Sequence, residues 1–246
     1  MSLFTFSTIG ILRSCYKEKF GVPRQPRLVT EALAELVLSP PYNTVDTLRD
    51  IESFSHIWLI FIFNQTQQCE WKPLIRPPRL GGNRRIGVFA SRSMFRPNPV
   101  GMSAVELLHI NHKKDKVSLL LRGCDLVDAT PIIDIKPYIP YSDSIPEARA
   151  GFATSVPLAK FKVDFTEQAM RQCQQIGAEL GQQENSAGVN LQKMIVQIVQ
   201  LDPRPSYQQQ VSDRVYAMRL YDFDLRWKYK KGDEILVLEL APIETT

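Results

Sequence analysis

The sequence predicts a mainly β protein: an N-terminal β-barrel over residues 1–145, followed by a smaller α+β C-terminal domain over residues 150–246. Three observations predict it. Short runs of β-branched and aromatic residues recur through the first half between Gly/Pro turns, the pattern of a closed or partly closed barrel. The strand–helix–strand rhythm that builds a parallel sheet is missing. After about Tyr141 the composition changes, as a stretch of small residues (142–157) leads into a glutamine-rich segment with helical periodicity.

Each element has its own signal. Residues 4–11 are β-rich. Residues 28–38 read as a helix, with Leu28, Ala32 and Leu36 on one face and Pro40-Pro41 as the stop. Residues 54–63 gather aromatics and isoleucines around Trp58, as a buried strand does. Residues 85–90 and 103–109 read as further strands, and 117–123 completes a hairpin after the charged turn at 113–116. In the second domain Thr166 is placed to cap a helix on which Ala169, Cys173, Ile176 and Leu180 share a face. A second helix opens at Asn190, with Leu191, Met194, Ile195 and Ile198 inward. Residues 214–229 and 234–240 alternate polar and apolar around a turn at 230–233, the mark of a hairpin.

Several function classes are excluded by pattern. The longest apolar run, 57–63, is too short to span a bilayer. Cys15, Cys69, Cys124 and Cys173 show neither CxxC spacing nor nearby histidines, which argues against a zinc site and for a reducing cytoplasm. A signal-peptide pattern is lacking at the N-terminus. No GxGxxG, GxxxxGK[ST], GxSxG or HExxH motif occurs. A hydrolytic triad of His56, Asp134 and a serine stays open as a weaker reading.

Charge is informative through its clustering rather than through the net value of +4. From Trp71 to Val105 there is no acidic residue, yet Lys72, Arg76, Arg79, Arg84, Arg85, Arg92 and Arg96 all fall there. Such a segment suits an anion, either a polyphosphate backbone or a ligand carboxylate; the alternative is a solvated basic loop. The stretch Arg122-Gly-Cys-Asp-Leu-Val-Asp-Ala-Thr-Pro-Ile-Ile-Asp-Ile-Lys-Pro-Tyr138 carries the opposite character, with Asp125, Asp128 and Asp134. On a strand Asp134 and Lys136 share a face, close enough to pair with each other or to bracket a polar ligand. Phe20-Gly-Val-Pro-Arg-Gln-Pro-Arg27 is a proline-stiffened loop. Asp202-Pro-Arg-Pro-Ser-Tyr207 offers a cation and an aromatic of the kind that contact RNA, or else an ordinary turn.

At these segments the chain strongly resembles the TsaA/TrmO family, first named after YaeB. The likeness rests on Phe-Gly-Val-Pro-Arg-Gln from 20, Phe-Ser-His-Ile-Trp from 54, Phe-Ala-Ser-Arg-Ser-Met-Phe-Arg-Pro-Asn-Pro-Val-Gly from 89, the stretch from Asp125 to Tyr138, and Asp-Pro-Arg-Pro-Ser-Tyr from 202. One departure is Ala129, where many relatives carry glycine. The resemblance implies an S-adenosylmethionine-dependent methyltransferase with a cofactor-binding barrel. It would methylate N6 of threonylcarbamoyladenosine beside the anticodon of tRNA, and act as a homodimer without a metal. A non-catalytic RNA-binding barrel is the alternative. Implied cofactor contacts are Pro23, Arg24, Gln25, His56, Ile57, Arg92, Ser93, Asp128, Ala129, Thr130 and Pro131. Arg92, Asp128 and Asp134 would form a polar core, with Asp128, Asp134 and Lys136 nearest the chemistry. Arg76, Arg79, Arg84, Arg85, Arg204 and Tyr207 would meet the anticodon loop.

Overall fold

The structure, a computed structural model, describes residues 3–66, 70–113, 116–183, 189–204 and 214–243. In chain order the strands of the first half are β1 (Gly10–Ser14), β2 (Leu33–Leu38), β3 (His56–Ile62), β4 (Leu74–Ile75), β5 (Ile86–Gly87), β6 (Val100–Lys113), β7 (Lys116–Arg122) and β8 (Thr130–Pro137). A short helix, α1 (Pro140–Asp143), follows them. β1-β2-β7-β6-β3-β8 close into a six-stranded barrel, while β4 and β5 form a separate two-stranded hairpin. Closure leaves no open sheet edge in the barrel. Alternation along each strand points Leu12, Leu36, Ile57, Leu59, Leu119, Leu121 and Ile132 into a filled interior, all of them fully buried. A ligand is therefore met at a rim or on the outer wall of this barrel.

The helix expected at 28–38 is absent: residues 33–38 form β2. Leu36 is buried whether the segment is read with a period of 3.6 or of 2, so so short an apolar run does not separate the two. The barrel decides, because β2 supplies the ladder between β1 and β7. Residues 85–90 form only the two-residue β5 and one 3-10 turn, Val88–Ala90. The strand expected at 4–11 is largely absent, since residues 4–9 join no ladder and β1 begins at Gly10; those expected at 54–63, 103–109 and 117–123 exist with shifted ends, and β6 runs from Val100 to Lys113.

The second half contributes β9 (Lys162–Phe165), α2 (Glu167–Gln183), α3 (Leu191–Gln200), β10 (Val215–Leu220), β11 (Phe223–Tyr229) and β12 (Glu234–Pro242). Their sheet runs β10-β11-β12-β9, with β9 parallel to β12. The segment 214–229, read from its alternation as one strand, turns between β10 and β11 at Tyr221, whose φ is 45°. Both caps form as the sequence suggests: Thr166 Oγ1 accepts from Ala169 N at 3.1 Å, and Asn190 Oδ1 accepts from Lys193 N at 2.9 Å. Leu191, Met194, Ile195, Ile198 and Val199 bury one face of α3. Burial pushes the Cys173 thiol on α2 up to about 11.

By contact density the chain divides into two compact units. One comprises residues 1–13, 34–122 and 129–155; the other comprises 14–33, 123–128 and 156–246. The segments 14–33 and 123–128 thus cluster with the C-terminal part of the chain.

Candidate active site

The arginine-rich loop is built from its own serines. Ser91 Oγ donates to the Val88 carbonyl at 2.7 Å and accepts from Ser93 N at 3.2 Å; Ser93 Oγ accepts from Phe95 N at 3.2 Å. Arg96 folds inward and donates from Nη1 to the carbonyls of Ser91 at 3.0 Å and Ser93 at 3.3 Å. One arginine of the motif is thus a brace, and the other, Arg92, is exposed. The proline-locked end of the loop docks on the barrel, where Phe63 N donates to the Pro99 carbonyl at 2.8 Å.

The next residue along, Asn64, holds the acid-rich turn. Its Nδ2 donates to the Ala129 carbonyl at 3.3 Å, while Ala129 N donates to the Leu12 carbonyl at 2.9 Å. The end of β3 therefore gathers two segments 30 or more residues apart in sequence, the loop with Arg92 and Ser93 and the turn with Ala129, Thr130 and Pro131, at one rim of the barrel. Ala129 is exposed and has a left-handed backbone, φ 61°; Thr130 is buried. Asn64 was not singled out from sequence, and a lone asparagine after a strand carries no signal that would have found it.

Asp128 plays a different part from the one expected in a polar core. Its Oδ1 accepts from Ser14 N at 2.9 Å and its Oδ2 pairs with Lys17 Nζ at 2.8 Å. Both oxygens are engaged in fixing the start of the turn. Lys17, 111 residues away along the chain, was likewise not anticipated.

Asp134 and Lys136 do pair, at 2.8 Å, and Asp134 Oδ1 also accepts from Ile135 N at 2.9 Å. An irregularity in the β3–β8 register between Ile60 and Phe61 sets their face. Phe61 opposes the buried Ile132, whereas Ile60 opposes Asp134, so one residue of β8 is skipped. Without that bulge Asp134 would share the inward face of Ile132. With it, Asp134 and Lys136 stand on the outer wall, about half and two-thirds exposed. They share that wall with Trp58, which opposes Lys136. Tyr138 lies 5.6 Å from Trp58 and 6.3 Å from His56 between ring centroids. Trp58 Nε1 and Ile139 N both donate to Asp143 Oδ2 at 2.9 Å, and these two bonds, the backbone one first, hold the Asp143 carboxyl below its ordinary range.

His56 and Ile57 stand at the other end of β3. His56 begins β3, and Phe63 and Asn64 follow its end; a seven-residue strand at about 3.3 Å per residue separates them by roughly 20 Å. His56 Nδ1 contacts Ser55 Oγ at 2.9 Å. Ile57 is fully buried, so its side chain packs the barrel rather than touching a ligand. Pro23 (buried), Arg24 (exposed) and Gln25 (half-buried) belong to the second compact unit. Arg204 corrects an expectation: it forms a two-pronged pair with Asp202 at 2.7 Å and 2.7 Å, lies 4.3 Å from the Tyr229 ring, and keeps only 10% of its side chain exposed. Its guanidinium is committed to the fold; burial opposes ionisation of Asp202, but the bonds from Arg204 and Tyr229 outweigh it and lower that carboxyl. Tyr207 lies outside the described residues. Arg76, Arg84 and Arg85 are exposed, as is Arg79, which donates to the backbone carbonyl of Ser155 and, at 3.3 Å, to its hydroxyl.

With this geometry in place, comparison with known proteins is decisive. Residues 11–144 match the model of the tRNA-methyltransferase O N-terminal domain, and residues 158–243 match that of the TrmO C-terminal domain. The chain belongs to the tRNA-methyltransferase O family. Among TrmO relatives, the tRNA (adenine(37)-N6)-methyltransferase of Escherichia coli (strain K12) is 47% identical over 97% of this chain and 99% of its own length. A putative S-adenosylmethionine-dependent methyltransferase of Pseudomonas aeruginosa, RcsF, is 43% identical over 96% of each chain. The crystal structure of TrmO from Pseudomonas aeruginosa superposes with a TM-score of 0.78 at 37% identity, covering 98% of this chain and all of that one. Membership agrees with the resemblance drawn from the motifs at 20, 54, 89, 125 and 202, and the TrmO barrel accounts for the missing dinucleotide motif.

Proposed function

We propose that this chain is an S-adenosylmethionine-dependent methyltransferase acting on N6 of threonylcarbamoyladenosine next to the anticodon of tRNA, as a homodimer in a reducing cytoplasm. The observation that carries this reading is the near-complete alignment, at 47% identity, with a tRNA (adenine(37)-N6)-methyltransferase. The chemistry of the barrel rim supports it. An exposed Arg92 offers a guanidinium to the methionine carboxylate, and the half-buried Met94, Pro99 and Pro131 offer apolar surface to the rest. Arg92, Ser93 and the backbone of Ala129, Thr130 and Pro131 would hold S-adenosylmethionine, which supplies an electrophilic methyl on a sulfonium.

Methyl transfer of this kind is an in-line displacement, so the protein's contribution is alignment and electrostatics. The target is a ureido N–H, acidified by its carbonyl, and a carboxylate that accepts its proton assists the transfer. We assign that role to Asp134, with Lys136 orienting it through their 2.8 Å pair. Asp128 anchors the 129–131 turn through Lys17 and Ser14.

Transfer of a labelled methyl group to tRNA with and without the threonylcarbamoyl group tests the whole reading. Label is expected only on the modified tRNA; RNA binding with no methyl transfer would replace the enzyme with a binding module. In the same assay Asp134→Asn should bind both substrates and turn over slowly. Full activity would remove Asp134 as proton acceptor.

A further inference from the structure

The basic segment carries large apolar side chains that its structure does not cover. Trp71 is 52% exposed, Leu74 51% and Phe89 77%. They belong to an ordered unit. Leu74 opposes Gly87 and Ile75 opposes Ile86 across β4 and β5, and Val88 N donates to the Pro73 carbonyl at 3.0 Å. Trp71 stands three residues before Leu74, and Phe89 stands two residues after Gly87 in the 3-10 turn Val88–Ala90, so both belong to the same end of the hairpin. The same hairpin buries Val88, at 2% exposure, and seats Lys72 Nζ 5.2 Å over the half-buried Phe95 ring. Two rings of the neighbourhood are thus left outward while their neighbours pack.

We propose that Trp71 and Phe89 form a stacking platform for unpaired nucleotides of the anticodon loop, an inference that rests on the tRNA reading above. Charge selects the occupant. No acidic residue occurs from Trp71 to Val105, and Arg76, Arg84 and Arg85 occupy exposed positions at the other end of the same hairpin. Single-stranded RNA supplies both complements at once, phosphates for the arginines and flat base faces for the rings. Exposed aromatic surface amid one sign of charge fits this partner better than an apolar protein face would. The platform adds a salt-insensitive component to a contact whose arginine part is salt-sensitive.

The test is binding of a fluorescent anticodon stem-loop by the full chain, read by anisotropy across a salt series. Trp71→Ala and Phe89→Ala should each weaken binding about tenfold or more, with the salt slope unchanged, since stacking loss carries no counterions. Trp71→Phe keeps an aromatic face and should retain most of the affinity. Wild-type affinity in the Trp71→Ala/Phe89→Ala double variant, while the parent binds the stem-loop, overturns the platform and leaves the tRNA reading standing. A change in sedimentation of the free double variant reassigns these rings to a contact between copies and also overturns it. Failure of the parent itself to bind the stem-loop removes both readings.

Discussion

Ala129 holds a left-handed conformation, φ 61°, at an exposed position, its carbonyl accepting from the Asn64 side chain and its N–H donating to the Leu12 carbonyl. A β-carbon there costs roughly 1 kcal/mol, which glycine would relieve. Glycine also loosens the unfolded chain, at a cost of about 0.5 kcal/mol. Ala129→Gly should therefore stabilise the protein by about 0.5 kcal/mol, seen as a raised thermal midpoint; a lowered midpoint would show that the turn is not strained. At Arg92 the prediction concerns binding. Arg96 braces the loop, and the exposed Arg92 is the arginine proposed for the cofactor carboxylate, so Arg92→Ala should abolish measurable S-adenosylmethionine binding by calorimetry. Unchanged affinity would take Arg92 out of the cofactor site.

The elements meet through close approaches that composition does not reveal. β6 begins beside β3 with Gly101 opposite Phe61. A β-carbon at Gly101 would stand 2.3 Å from Cζ of that ring, well inside contact distance. Gly101→Ala should cost about 1–3 kcal/mol through overpacking, measured by denaturant unfolding. Adding Phe61→Leu should recover part of that loss, and additive losses in the pair would refute the steric account. The bulge in β8 matters as much. It reverses the phase of the strand after Ile132 and so delivers Asp134 and Lys136 to the outer wall. From sequence their spacing established only that they share a face, not which face.

At the scale of the whole molecule, the proposal gives the tRNA phosphates to the basic segment and the cofactor to the barrel rim. Arg84 and Arg85 are exposed and fall in a stretch without acids. Replacing both with alanine should weaken tRNA binding and reduce the slope of log affinity against log salt by about 1.4, two single-strand phosphate contacts at about 0.7 each. Cofactor affinity should stay as it was. An unaltered slope would exclude them from the phosphates.

Sequence by itself determined the mainly β first half, both capped helices of the second, the motif blocks at 89–101 and 125–138, and through them the family. These are local signals: strand patterning, a threonine or asparagine at a helix start, and clustered charge. Only the tertiary structure decided that residues 33–38 join a barrel rather than coil, that Asp128 serves Lys17 and Ser14, that Arg204 is spent on Asp202, and that Phe63 and Asn64 draw two remote loops to one rim. Each of these depends on partners distant along the chain. Hydrogen bonding and close packing select among them only when the barrel closes, and no single stretch of residues contains that choice.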